Sequence, residues 1–217
     1  MVAVEETLDQ TAQRLAAELP NHAAFDGWNA AAVAAAADAL SVHPDVAQLA
    51  FSNGAMSMID AWFATIDMEM LVALPPEALA KMKVRERITA LVEARLAQVA
   101  PHKEALRRAL SILALPTNVL AATKLGWRAA DVMWRAAGDT ATDYNHYTKR
   151  AILGSVYSAT MTVFLNDESE DHAETKAFLA RRIDGIMRFE KAKAGFTAKS
   201  DLMFSPSRFL GRLRYPA

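Results

Sequence analysis

The chain has 217 residues, of which 53% are hydrophobic and only eight are Gly and eight are Pro. This Ala-rich composition predicts packed helices rather than sheet, as one sizeable domain or two small ones. The absence of Cys excludes a disulfide framework, a thiolate nucleophile and a Cys-ligated metal site.

The net charge of −1 is the sum of an uneven distribution. Residues 1–60 hold eight acids and one base, a balance of −7, and residues 191–217 hold six bases and one acid, a balance of +5. The two ends are therefore expected to meet different partners. The acidic start predicts neither a secretory signal nor a transit peptide. No uncharged apolar run reaches the ~20 residues needed to span a bilayer.

The first 52 residues are predicted to form three short helices with the outline of a helix-turn-helix unit. Their predicted spans are 4 to about 19, ended by Pro20, then 28 to 37 and 44 to 50. A DNA-reading unit needs Lys and Arg for the phosphates, and none occurs between Arg14 and Lys81. We interpret residues 1–52 as a vestigial unit without DNA-binding charge.

Residues 53–193 are predicted to form the main helical bundle. Its helices are expected at 54 to 73, 77 to 99, 101 to 115, 118 to 137, 142 to 166 and 170 to 192. Within the fifth of these, residues 151–166 carry no charge and large apolar residues cover every side. A packed core is the ordinary interpretation of this stretch, and a lipid-lined cavity is the alternative.

Side chains able to make directed contacts are concentrated between Met133 and Arg150, where two helices are predicted to meet. Gly138 and Asp139 interrupt the helical periodicity there. The segment indicates either a surface for specific recognition or a helix corner tied by salt bridges. We expect a partly exposed Trp134 ring to serve a partner, because Trp is frequent among binding hot spots.

Residues 194–217 are predicted to be a polar linker followed by a short basic amphipathic helix. Arginines and apolar residues fall on different faces of that helix, as in helices that lie on anionic membranes. The predicted membrane-binding residues are Arg208, Phe209, Leu210, Arg212, Leu213, Arg214 and Tyr215. Docking of this segment on its own bundle is the alternative.

No catalytic or metal site is predicted, and we expect no enzymatic activity. The one carboxylate-x-x-His pair is Asp143 with His146, whereas a di-iron bundle needs two Glu-x-x-His pairs and further Glu. The sequence also lacks a Gly-rich phosphate loop and a nucleophile elbow.

Two segments carry a resemblance to a known family: Trp-x-x-Ala-Gly-Asp-x-x-Thr-Asp-Tyr-Asn-x-Tyr-Thr-x-Arg at 134–150 and Arg-Ala-Leu-Ser-Ile-Leu-Ala-Leu-Pro-Thr-Asn at 108–118. They resemble the coenzyme Q (ubiquinone) biosynthesis accessory family, over about residues 26–190. The resemblance implies an all-α fold of about ten helices like that of TetR-family regulators, without catalysis or cofactor. It also implies bound isoprenoid quinone intermediates or phospholipid, a membrane surface, and the demethoxyubiquinone hydroxylase as partner. A homodimer is expected by analogy with regulator-like folds.

The resemblance also implies roles for particular residues. The partner-facing positions are Trp134, Gly138, Asp139, Thr142, Asp143, Asn145, Tyr147 and Arg150. The lipid-contacting positions are Leu113, Leu115, Val119, Met133, Val156, Tyr157, Met161 and Phe164. His146 stands where the family is expected to have an aromatic ring such as Trp, and Ala141 where Ser is common.

A second interpretation is a TetR-like transcriptional regulator that senses a ligand in its bundle, and the −7 balance near its N-terminus disfavours it. We expect no nucleic acid partner. The expected location is the cytoplasmic side of the inner membrane in a bacterium. For a trimmed eukaryotic chain it is the matrix side of the mitochondrial inner membrane.

Overall fold

The computed structural model describes residues 6–142 and 144–200, with side chains as far as Arg188 except those of Tyr144 and Met187. Ten α-helices occur in this part of the chain, joined by 3-10 turns at Ala100–His102, Pro116–Asn118 and Glu170–His172. They are α1 (Leu8–Asp26), α2 (Ala30–Ala39), α3 (Pro44–Ala50), α4 (Ala55–Ala73), α5 (Pro76–Ala80), α6 (Val84–Val99), α7 (Lys103–Leu113), α8 (Val119–Ala136), α9 (Tyr144–Leu165) and α10 (Ala173–Ser200). The predicted all-α class is confirmed.

The first helix is longer than predicted, because Pro20 lies inside α1 instead of ending it. Proline removes one intrahelical hydrogen bond and crowds the preceding turn. Here Leu15, Leu19 and Ala23, on both sides of Pro20, are fully buried in the core. Their burial on one continuous helix outweighs the local preference of Pro20 for a break.

The N-terminal unit, α1 to α3, is fastened to the bundle by Trp28. Its indole N–H donates to the carbonyl oxygen of Ala105 at 3.0 Å, and its ring lies 5.1 Å from that of Trp62 in α4. The third helix, α3, buries Ala47 but exposes Val46, Leu49 and the carboxylate of Asp45. Its exposed face therefore offers no cation to a phosphate backbone.

The helix predicted from 77 to 99 is instead two helices, α5 and α6, with a break at Lys81–Lys83. Lys83 has an extended backbone and its N–H donates to the Glu86 carboxylate at 2.8 Å, which caps α6. The Arg87 guanidinium binds the carbonyl oxygens of Ala80 and Met82 across the break. These side-chain contacts satisfy backbone groups at the break, so that α5 and α6 remain two separate helices.

Helices α8 and α9 pack closely at Gly154, where an added Cβ would lie in van der Waals contact with the Gly126 carbonyl oxygen, at 3.6 Å. Helix α10 covers α9 and α6, where Asp184 forms a salt bridge with Arg85. The linker predicted from 194 is wrong as far as Ser200, because α10 continues to that residue. The predicted membrane-binding residues, 208–215, lie outside the described residues, as does Asp143.

No single described helix is long and apolar enough to cross a membrane; the one combination that passes by length and composition is the pair Val84–Leu113 and Pro116–Ala136, bent by 87°.

Candidate functional site

The connection between α8 and α9, which we call the junction, begins with a glycine cap. Gly138 has a φ of +90°, a conformation that favours glycine. Its N–H donates to the Arg135 carbonyl at 3.0 Å, and the Asp139 N–H donates to the Trp134 carbonyl at 2.9 Å. This pair of bonds is the Schellman motif that ends a helix and turns the chain back.

Four charged side chains then lock α8 to α9. Arg150 donates to Asp131 at 2.6 Å through Nε and to Asp139 at 3.0 Å through Nη1, and only 2% of its side chain is exposed. Lys149 donates to the other Asp139 oxygen at 2.6 Å. Because the Asp139 side chain is only 6% exposed, removing either partner leaves a charge largely cut off from water.

Both junction carboxyls have pKa values below their usual range. Burial alone raises the pKa of Asp139, but hydrogen bonds from Lys149 and Arg150 outweigh it and lower the pKa overall. For Asp131 burial likewise raises the pKa, and hydrogen bonds from Arg150 and Arg135 more than reverse that effect. Both groups therefore stay ionised at neutral pH and hold the junction closed.

Seven of the eight predicted partner-facing residues lie in the described part of the chain, and they separate into buried and accessible groups. Asp139 and Arg150 are enclosed by the fold. These two residues therefore fit the interpretation of a helix corner tied by salt bridges, and they are not placed to contact a partner directly. The accessible ones are Gly138, Thr142, Asn145 and Tyr147, with Tyr147 61% exposed. Trp134 is half-buried.

Trp134 is partly exposed, as predicted, but it also has an internal role. Its indole N–H donates to the Lys149 carbonyl at 3.0 Å, and the Lys149 ammonium lies 5.3 Å from the ring centre. The ring packs against the core and forms one wall of a cavity of about 250 Å³. The aliphatic walls of this junction pocket are Val84, Ile88, Ile152, Leu153, Val156, Ile183 and Ile186.

Three rings form an aromatic cluster on another side of the junction. Trp127 lies 6.0 Å from Tyr147 and 6.4 Å from His146, and the His146 and Tyr147 rings are 5.1 Å apart. The Nδ1 atom of His146 hydrogen-bonds the Ala141 carbonyl at 2.9 Å, which fixes the His146 ring. Sequence reasoning did not join Trp127 to the site, since the positions of His146 and Tyr147 in α9 do not reveal which ring of α8 they meet.

Arg87 also belongs to the junction and was missed by sequence reasoning. Its Nη1 donates to the Ala137 carbonyl at 2.8 Å, 50 residues away in the chain. The same nitrogen would lie 3.3 Å from a Cβ on Gly138. The sequence around Arg87 gives no sign of this contact, because nothing in it indicates that the Ala137 carbonyl lies nearby in the fold.

An open groove of about 560 Å³ runs between α8 and α9, and an inner cavity of about 230 Å³ lies beneath it. Four residues line both spaces, which are therefore adjacent: Leu113, Ala122, Gly126 and Ser158. The inner cavity also touches Phe63, Leu125, Ala129 and the Arg95 side chain. Arg95 is fully buried, forms a salt bridge with Asp67 and stacks on Tyr157 at 5.1 Å.

The predicted lipid-contacting residues do not line a single cavity. Leu113, Tyr157 and Met161 line the inner cavity, and Val119 lines the groove. Val156 faces the junction pocket, and Phe164 faces a separate cavity between α6 and α10. Met133 is buried and Leu115 exposed, and neither lines these spaces. Consecutive residues of α9 point about 100° apart, so each of its faces meets a different neighbour.

Three hydroxyl side chains in the groove wall already donate hydrogen bonds to carbonyl oxygens of their own helices. The hydroxyl of Ser155 donates to the Ile152 carbonyl at 2.7 Å, and that of Ser158 to the Gly154 carbonyl at 2.9 Å. Across the groove, the Thr123 hydroxyl donates to the Val119 carbonyl at 2.8 Å. An apolar ligand can cover such hydroxyls without breaking a hydrogen bond.

In the described residues, no group of three or more His, Asp and Glu side chains is placed to hold a metal ion.

Comparison with known proteins connects this architecture to a family. The COQ9 family model matches residues 119–190, which contain α8, the junction and α9. Rat "Ubiquinone biosynthesis protein COQ9, mitochondrial" is 34% identical over 190 residues, covering 83% of this chain and 57% of the rat protein. The human protein of the same name is 33% identical over 180 residues, covering 80% of this chain and 55% of that protein. The chain belongs to the COQ9 family.

This COQ9-family chain spans a little more than half the length of these curated relatives. Its fold is similar to the crystal structure of a TetR transcriptional regulator from Nitrosomonas europaea, with a TM-score of 0.65 and 23% identity, covering 80% of this chain and 96% of that one. At this identity the likeness shows the fold alone. The predicted TetR-like fold is confirmed.

Proposed function

We propose that this chain is a non-catalytic, lipid-binding accessory protein of ubiquinone biosynthesis. In this role it takes isoprenoid quinone precursors from a membrane, holds them in the bundle and presents them to the demethoxyubiquinone hydroxylase. The observation that carries the proposal is the pair of adjacent spaces, groove and inner cavity, between α7, α8 and α9, in a member of the COQ9 family.

The walls of this space suit a long apolar chain. Residues 109–123 and 151–166, which supply most of them, contain no charged side chain. Small residues such as Ala122, Gly126 and Gly154 keep the groove open. Ligand sites of this kind are concave and mostly apolar, with few polar groups, and the Arg95–Tyr157 contact supplies the polar end here.

The hydroxylase is proposed to dock beside the aromatic cluster. Tyr147 is the most accessible of its rings, and the paired charges of Asp131, Asp139 and Arg150 hold α9 in a fixed position beneath it. A rigid aromatic anchor loses little conformational freedom on binding, which favours tight contact. The accessible residues Gly138, Thr142 and Asn145 extend the same surface.

The membrane and self-association expectations remain part of this proposal. The basic residues at 208–215 would hold the protein peripherally on the inner membrane, bacterial or mitochondrial. A homodimer is supported by an uncharged exposed stripe that runs along α9 and one residue beyond it, formed by Ala151, Ser155, Ser158, Thr162 and Asn166. The side chains of Thr162 and Asn166 bond back to helix carbonyls at 3.1 Å, so a second copy can cover them without loss.

Lipid binding is tested by organic extraction of the purified chain and mass spectrometry of the extract. We expect isoprenoid quinone or phospholipid from the wild type, and several-fold less from Ala122→Phe, which places a ring where groove and cavity join. Ala34→Phe, on the exposed face of α2, is the matched control and should retain its lipid. A lipid-free wild-type extract, or equal lipid in Ala122→Phe, contradicts lipid binding at this site.

Hydroxylase docking is tested by pull-down with the purified hydroxylase. Trp134→Asp is a poor probe, because this ring also packs on the core and bonds Lys149. Tyr147→Ala removes an exposed ring and should weaken capture by about tenfold or more, as for a hot-spot residue. Leu49→Ala, an exposed residue of α3, serves as control. Unchanged capture by Tyr147→Ala would place the contact elsewhere.

A further inference from the structure

The connection between α7 and α8 exposes an unusual set of aliphatic side chains, which we call the α7–α8 corner, residues 114–120. The 3-10 turn Pro116–Asn118 lies at its centre. Leu115, Val119 and Leu120 are 50%, 55% and 71% exposed. Three large aliphatic side chains within six residues form a contiguous apolar projection, which marks an interaction surface.

Several polar groups of the corner are hydrogen-bonded within the corner or to the end of α7. The Ala114 N–H donates to Leu110, the Leu115 N–H to Ile112, and the Asn118 N–H to Leu115, at 2.9, 3.2 and 2.8 Å. The Asn118 side-chain amide donates to the Ile112 carbonyl at 2.9 Å, and Pro116 has no N–H to satisfy. Lipid offers no hydrogen bonds, so a segment that enters it must satisfy its own polar groups.

Charge is arranged around the corner rather than within it. Residues 109–123 carry none, and the first charged residues on either side are both basic: Arg108, which forms an exposed salt bridge with Glu104 at 3.2 Å, and Lys124. The facing stretch of α9, residues 151–166, is also uncharged. Basic residues around an apolar projection match the anionic head groups and acyl chains of a bilayer.

The corner also lies at the end of the groove. Val119 belongs to both, and Leu113, the last residue of α7, lines the groove and the inner cavity. The bend of 87° between the flanking helical segments makes the corner convex. A convex apolar tip enters a bilayer readily, whereas packing against a second copy requires a complementary hollow.

We propose that the α7–α8 corner inserts into the interfacial layer of an anionic membrane and forms the port through which lipid enters the groove. This contact is separate from the basic C-terminal residues and rests on the proposed function, in which lipid comes from a membrane. Leu115, Val119 and Leu120 bury their side chains among acyl chains, while Arg108 and Lys124 stay at head-group level.

A single environment-sensitive label tests this placement, because the chain has no cysteine of its own. Full-length Leu120→Cys carrying a nitrobenzoxadiazole dye is mixed with phosphatidylcholine/phosphatidylglycerol vesicles, with and without lipids brominated in the upper acyl chain. We expect a blue shift and a several-fold rise in emission, quenched by the brominated lipid. Val72→Cys, at an exposed aliphatic position of α4, is the matched control and should not respond.

Four other outcomes overturn the inference. Equal responses at 120 and 72, or none at 120, mean that the corner does not enter lipid. A response at 120 that follows protein concentration without vesicles means that a second copy covers the corner. A response that needs the hydroxylase assigns the corner to that protein.

Vesicle binding provides the second measurement. Leu120→Asp should weaken partitioning of the full chain by about tenfold, the loss expected for one buried leucine, and Val72→Asp should stay within about twofold of wild type. Equal weakening by the two substitutions contradicts the inference. Lipid extraction distinguishes failure of this inference from failure of the proposed function. If the extract is rich in isoprenoid but the label at 120 does not respond to vesicles, lipid binding stands and only the entry port is refuted.

Discussion

At its C-terminal end α8 meets α9 through paired and largely buried charges, whereas at its N-terminal end it meets α7 through three exposed aliphatic side chains. Both connections are short, and both turn the chain sharply. The junction uses Asp131, Asp139, Lys149 and Arg150 to fix one geometry. The α7–α8 corner closes its hydrogen bonds locally and leaves its apolar side chains to solvent.

This contrast teaches that chemical character alone does not locate a binding surface. The charged residues of the junction look suited to recognition, yet they are largely buried in salt bridges that hold two helices together. The aliphatic residues of the corner look suited to a core, yet they are outside it. Burial therefore decides which residues stabilise and which are free to contact a partner.

The largest expected effect is on the junction, with Asp139→Ala. This change leaves the buried Arg150 with Asp131 alone and frees Lys149. Removing one partner of a buried ion pair is strongly destabilising, so we expect the free energy of unfolding to fall by about 3 kcal/mol. Urea denaturation followed by circular dichroism measures it. A loss below about 1 kcal/mol would show that the pair is no stronger than a surface salt bridge.

Acid should open the junction before it affects the corner. The folded-state pKa values of Asp131 and Asp139 lie below the unfolded value of about 3.9, so their stabilisation is complete above that pH and is lost as pH falls through the folded values. The Asp139→Asn variant has no titratable carboxyl at position 139. The difference in urea midpoint between wild type and Asp139→Asn should be large at neutral pH and shrink at acid pH. A constant difference would rule out this linkage.

Gly138→Ala should lower the free energy of unfolding by less, about 1 kcal/mol. Alanine at a φ of +90° is strained, and its Cβ would press on the Arg87 side chain. Gly126→Ala is the matched control inside α8, where a Cβ meets nothing within 4 Å. That change should leave stability equal or slightly raised, since alanine favours helix. Thermal unfolding of both variants distinguishes the two positions, and equal losses would argue against the glycine cap.

The smallest expected effect on stability is at the corner. Leu120→Asp replaces an exposed side chain, so the free energy of unfolding should change by no more than about 0.5 kcal/mol. The same urea titration measures it. A loss as large as that of Asp139→Ala would mean that Leu120 is part of the core and would erase the contrast between the two ends of α8.

Much of the fold could be predicted from the sequence, where neighbours within one or two turns decide the structure. The helices at 54–73, 118–137 and 142–166 were placed within about two residues, because their apolar periodicity and their breaks at Pro75, Pro116 and Gly138 are local signals. Pro20 and the break at Lys81–Lys83 were misjudged. Burial of Leu19 and Ala23 overrode the first, and the side-chain contacts of Arg87 with Ala80 and Met82 helped to fix the second.

The candidate site was predictable only in part, for the same reason. The order of residues from Trp134 to Arg150 located the junction, and the pairing of Asp139 with Arg150 was one of its two interpretations. The contribution of Asp131 and the meeting of Trp127 with Tyr147 depend on the rotation of α8 against α9. The predicted lipid-contacting residues were apolar and mostly buried, but their distribution among cavities followed from which neighbour each face of α9 meets.

By itself the sequence determined the helical class, most of the places where helices end, the charge-free stretches 109–123 and 151–166, and the motif that carries the family resemblance. Only the tertiary structure decided that Asp139 and Arg150 are internal, that Arg87 closes the junction from 50 residues away, and that Leu115, Val119 and Leu120 face outward. Helix formation depends on residues a few positions apart along the chain. Burial and ion pairing depend on how the helices are rotated and placed against one another.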